Sequence, residues 1–124
     1  MGKNDRELYW VGSSRDDLLA FPREVQSAVG FALRAAQEGK KHESVEPLKG
    51  YRGAGVLEVI KRFSGDTYRC VYTVQLANAA YVLHCFQKKS TSGIKTPKRD
   101  LDMIERRLAE AIAEDAAITK EKSA

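Results

Sequence analysis

The apolar positions along this chain switch between a period of two and a period near 3.6, and the switches mark its elements. Leu8-Tyr9-Trp10-Val11 is short, apolar and β-prone, and Gly12-Ser13-Ser14 stops it, which predicts a strand. Ser14-Arg15-Asp16-Asp17 has capping-box spacing and opens a brief helix through Leu18, Leu19 and Ala20. Phe21-Pro22 restarts it, because proline suits a first helical position. Val25, Ala28, Val29, Ala32, Leu33 and Ala36 then recur at steps of three and four, so a second helix spans 22–38, with Gly39 as its stop. Residues 39–55 mix glycines, Pro47 and charges, which reads as a loop.

Three strand patterns follow, Val56–Phe63, Thr67–Leu76 and Ala80–Gln87, joined by links so short that they force antiparallel hairpins. Thr96-Pro97 supplies an N-cap and a proline start, and Leu101, Ile104, Leu108, Ala111 and Ile112 carry helical period to about Asp115. The expected fold is therefore α+β, a small antiparallel sheet in the order strand–helix–helix–three-strand meander–helix. Residues 1–117 form one domain and 118–124 a frayed tail. Helices are expected on one sheet face, leaving the other free to bind.

Composition narrows the setting. A chain of 124 residues can bury a core of its own. Cys70 and Cys85 are far from a C-x-x-C spacing, which speaks for reduced thiols in a cytoplasmic protein and against a zinc site, although strand neighbours could still join. No apolar run approaches the ~18 residues of a membrane span, so no membrane contact is expected. Charge is unevenly placed: the formal net charge is +4, yet Lys88, Lys89, Lys95, Lys98 and Arg99 follow Phe86 with no acid before Asp100. Such a patch is either a solvated loop or the footprint of a polyanion, nucleic acid above all.

Candidate chemistry gathers on the strands. Alternation in TYRCVYTVQL puts Thr67, Arg69, Val71 and Thr73 on one face. An arginine in so apolar a strand either binds a ligand or pairs with an acid such as Glu58. His84 shares parity with Val82, Phe86 and Lys88 and suits proton transfer, or else is a hydrogen-bonded core histidine. Lys88 and Lys89 should point to opposite faces. Tyr51, Tyr68, Tyr72 and Tyr81 could stack on bases or simply pack. The chain has no nucleophile elbow, phosphate-binding glycine loop or histidine-rich metal motif. Arginine, lysine and a proton acceptor are nevertheless enough to cleave RNA, whose 2′-hydroxyl is its own nucleophile. They also suit plain RNA binding.

GDTYRCVYTV (65–74), YVLHCFQKKS (81–90) and TPKRDLDMIERRL (96–108), in that order and spacing, resemble the RelE/ParE superfamily of toxins, in particular its HigB-like, phage-derived branch. The resemblance implies a type II toxin–antitoxin toxin that cuts mRNA on the ribosome without metal or other cofactor. It implies an antitoxin partner, usually a helix-turn-helix protein, in a hetero-oligomer. It places the superfamily's phosphate-binding arginine at Arg69 and the basic residue ending the next strand at Lys88 or Lys89. At the superfamily's lysine pair this chain has Glu58 and Ile60, with Lys61 and Arg62 just beyond, and its aromatic hydroxyl falls near Asp100. Glu58 and His84 are then the candidate general bases, and Lys61, Arg62, Lys95, Lys98 and Arg99 the candidate RNA contacts. The rival readings are a ParE-like inhibitor of DNA gyrase and a non-catalytic RNA- or protein-binding module.

Overall fold

The computed structural model describes residues 5–48, 55–88 and 96–124. These residues form β1 (Glu7–Trp10), α1 (Ser14–Leu19), α2 (Arg23–Gln37), β2 (Val45–Pro47), β3 (Val56–Phe63), β4 (Asp66–Thr73), β5 (Ala79–Lys88) and α3 (Lys98–Ser123). The five strands make one sheet in the order β1-β5-β4-β3-β2.

The sheet is mixed, which corrects the antiparallel expectation. The β3–β4–β5 meander is antiparallel, as its short links require, but β1 runs parallel to β5, with Glu7 opposite Ala79 and Trp10 opposite Val82. No turn connects these two strands, so nothing local dictates their direction. β2 lies inside the expected loop, antiparallel to β3. Its proline sits at the sheet edge, where a missing N–H costs nothing.

Both sheet faces are covered, a second correction. On one side Val25, Val29, Ala32, Leu33 and Ala36 of α2 and Leu18 of α1 meet Val59, Tyr68, Cys70, Tyr72, Val82 and Cys85. On the other, Ile104 and Ala111 of α3 meet Val71, Tyr81, Leu83 and Phe86. Cys70 lies opposite Cys85, and both are free thiols. A hydrogen bond with Cys85 and then burial hold the Cys70 thiol well above its ordinary range.

α3 does not bury the purely apolar stripe expected of it. Ile112 is exposed, while Arg107 and Asp115 are buried. Asp100, Ile104, Arg107, Ala111 and Asp115 form the face turned toward β5, at the three- and four-residue steps of one helical stripe. Polar groups survive there because each finds partners. The Asp115 carboxylate accepts from the Ala77 and Asn78 backbone N–H groups, both at 2.9 Å, and from the Tyr81 hydroxyl at 2.8 Å. Burial alone would raise its pKa, but these donors hold it below the ordinary carboxylate value. Arg107 donates to the Leu83 carbonyl at 2.9 Å and to Ser13 Oγ at 3.0 Å. Gly12 makes room for it: its φ is +56°, and a Cβ there would lie 2.7 Å from Arg107 Nε. The helix continues to Ser123, so residues 118–124, expected as a tail, are helical through that residue. Thr119 and Lys122 both hydrogen-bond the Asn78 side chain.

Candidate functional site

The meander's pairing decides which side chains share a face. Glu58 on β3 is opposite Val71 on β4, which is opposite His84 on β5; Ile60, Arg69 and Phe86 form the next row, and Arg62, Thr67 and Lys88 the row after that. Cross-strand partners project to the same side, so Glu58, Arg69, His84 and Lys88 all lie on the α3 side of the sheet. For β5 this holds only because of a bulge. The register shifts so that Val71 faces His84 while Tyr72 faces Val82, leaving Leu83 as the extra residue. His84 thus does not share a face with Val82, as strict alternation predicts. Val82 enters the core under α1 and α2, whereas His84 joins the polar cluster under α3.

Glu58 is 1% exposed, Arg69 6% and Lys88 9%. Arg69 Nη1 donates to Glu58 Oε1, so the acid partner anticipated for this arginine is real. The pair is not saturated: among the described residues Glu58 Oε2 and Arg69 Nε have no hydrogen-bond partner. Burial raises the Glu58 pKa above its ordinary value; the Arg69 guanidinium pulls it back, and Glu46, directly opposite on β2, pushes it further up. Burial lowers the Lys88 pKa, the neighbouring Arg69 charge lowers it more, and Glu58 opposes both. Two cations held this close in a desolvated place favour an anion between them.

His84 stands beside this pair. Its ring stacks on Phe86 with centroids 4.8 Å apart and planes 18° from parallel. Nε2 donates to Asp100 Oδ1 at 2.8 Å, and Nδ1 is buried without a partner among the described residues. Both side chains are mostly buried, at 12% and 13% exposure. Asp100 was not singled out as a site residue in the sequence. Its signals were the resemblance, which sets the superfamily's aromatic hydroxyl near this position, and the four-residue step to Ile104, which puts it on the inward stripe of α3.

The remaining sequence candidates separate. Arg62 is exposed on the same sheet face as Arg69 and Lys88. Lys61 is on the opposite face and meets Glu24 of α2 at 3.9 Å, so it is not part of the cluster. Lys98 and Arg99 are exposed at the start of α3, with Lys98 Nζ 3.1 Å from Asp102. Lys89, Lys95 and Tyr51 lie outside the described residues. Tyr68, Tyr72 and Tyr81 are buried, which makes them core rather than a base-stacking platform. Among the described residues no three His, Cys, Asp or Glu side chains gather as metal ligands, and no helix is long and apolar enough to cross a membrane.

The arrangement can hold an anion against Arg69 and Lys88 with a proton-transferring imidazole on the same face. No curated protein matches the sequence. Residues 16–109, which include β3, β4, β5, all four clustered side chains and Asp100, match the family described as Phage derived protein Gp49-like (DUF891), and the chain belongs to that family.

Proposed function

We propose that this protein is the toxin of a type II toxin–antitoxin pair, related to the RelE/ParE superfamily, and that it cleaves mRNA on the ribosome. The observation that carries the reading is the buried Arg69–Lys88 pair, with Arg69 Nε and His84 Nδ1 unpartnered on the same sheet face. Membership of a phage-derived family supports it, since such families supply toxins of this kind. The antitoxin partner and the cytoplasmic setting belong to the same proposal.

The chemistry follows from the groups present. The 2′-hydroxyl of a ribose attacks the adjacent phosphorus and the 5′-oxygen departs, leaving a 2′,3′-cyclic phosphate and a 5′-hydroxyl. Charge builds on the non-bridging oxygens in the transition state, where Arg69 and Lys88 stabilise it from a low-dielectric site. Glu58 Oε1 is committed to Arg69 and orients the guanidinium. His84 is the group left to accept or return a proton. Exposed Arg62, Lys98 and Arg99 add sequence-independent attraction for RNA.

The test is to induce the chain alone in bacteria and map transcript 5′ ends by primer extension. New ends inside translated codons, absent when translation initiation is blocked, are the expected result. Growth arrest with intact transcripts and damaged DNA would transfer the protein to the gyrase-inhibitor class. Intact transcripts without arrest would leave a binding module.

A further inference from the structure

We infer that Asp100 is a positioning residue for proton transfer: it holds the His84 ring through Nε2 so that Nδ1 is the atom that exchanges the proton. The inference rests on the cleavage reading above and assigns one more role within that site.

Three observations carry it. First, the contact joins separate elements, since His84 is on β5 and Asp100 in the first turn of α3, 2.8 Å away. An ionised carboxylate only accepts, so Nε2 must carry the proton of this bond. A neutral ring then has its lone pair on Nδ1, the unpartnered nitrogen. Second, the ring cannot turn freely, because Phe86 stacks on it and the Leu83 bulge fixes its strand position. Third, α3 is locked in place along β5. Arg107 holds the Leu83 carbonyl, one residue before His84, and Asp115 holds the far end through Tyr81 and Asn78. Asp100, Arg107 and Asp115 share one stripe, so the two anchors set where Asp100 falls. A carboxylate fixing tautomer and orientation of a catalytic imidazole is the general logic of base–orienter pairs.

The bland alternative is that Asp100 merely favours the positive end of a helix, as acids in first turns often do. The two accounts differ in coupling. Cleavage of an mRNA bound to purified ribosomes would be measured for wild type, Asp100→Asn, His84→Gln and the double variant, with thermal unfolding as a folding control. Asp100→Asn should lower kcat about 10- to 100-fold with little change in KM. The double variant should be no slower than His84→Gln alone. Asp100→Glu, which restores a carboxylate, should recover part of the rate and covers the case in which the asparagine variant folds poorly. By NMR, the downfield Nε2 proton of His84 should be present in wild type and lost in Asp100→Asn. Independent, multiplying losses in the double variant, or wild-type kcat in Asp100→Asn, would overturn the inference while leaving the cleavage reading intact. Absence of cleavage by wild type would sink the reading itself, and the inference with it.

Discussion

At the Asp115 end of α3 a buried carboxylate is surrounded by donors, whereas at the Asp100 end, about 22 Å along the helix, buried charge is left incompletely partnered. Asp115 collects two backbone N–H groups, the Tyr81 hydroxyl and the Asn78 amide. Among the described residues Glu58 Oε2, Arg69 Nε and His84 Nδ1 have no such partners, and neither does Thr96 Oγ1 just before α3. Outside this face, Arg6 Nε is the other unpartnered atom among the described residues, on a side chain that already donates to Leu76 and Ala79. Unsatisfied buried polar atoms cost free energy, so a cluster of them needs a reason. A saturated buried charge holds a fold together. An unsaturated one keeps capacity for a ligand.

The comparison can be broken at either end. The largest effect should come from Arg69→Lys, which keeps a positive charge beside Glu58 but loses the planar fork. Cleavage should fall about 10²- to 10³-fold, while the urea midpoint stays near wild type. Asp115→Ala should do the reverse. It strands the Tyr81 hydroxyl and two backbone N–H groups, costing roughly 2–4 kcal/mol in urea unfolding, with activity per folded molecule lowered only as far as the loosened α3 anchor lets Asp100 shift, far less than by Arg69→Lys. Gly12→Ala should destabilise by about 1–2 kcal/mol, since it strains a positive φ and presses on Arg107. Any effect on activity should come only through the α3 anchor that sets Asp100.

The smallest effect is in the pH dependence of stability, and the two ends have opposite signs. The folded-state pKa of Glu58 is raised above the ordinary 4.5, so stability falls as pH rises from there through the raised value. Asp115 is depressed below the ordinary 3.8, so its contribution is fully present above 3.8 and is lost as pH falls through the lower folded value. Urea titrations across pH should show Glu58→Gln flattening the upper window and Asp115→Asn the lower one.

How much of this was legible in the sequence depended on whether local rules settled it. α2 could be read because Val25, Val29, Ala32, Leu33 and Ala36 obey one period and all face one core. The meander could be read because its links are too short for anything else. Alternation alone put Arg69 and Val71 on one shared face; which face that is came from the register. What escaped was set by tertiary contact. The direction of β1 depends on a strand far along the chain, and β2 is three residues inside a charged, glycine-rich stretch. The Leu83 bulge moves His84 to the other side of the sheet from Val82, and no residue type announces it. Nothing in the sequence marked Arg107 and Asp115 as buried, because their partners are the Leu83 carbonyl and the Ala77-Asn78 backbone. The resemblance pointed to the position of Asp100, but its pairing with His84 depends on how α3 packs on β5.

The central claim is that the Glu58–Arg69–Lys88–His84 cluster, where Glu58 Oε2, Arg69 Nε and His84 Nδ1 find no partner among the described residues, is where the chemistry happens. Its most direct test is to add purified wild type and Arg69→Lys to ribosomes carrying a short mRNA, following cleavage and the unfolding midpoint of both proteins. The account predicts that wild type cuts the bound message and that Arg69→Lys, equally folded, cuts it about 10²- to 10³-fold more slowly. Cleavage by Arg69→Lys at the wild-type rate would contradict it.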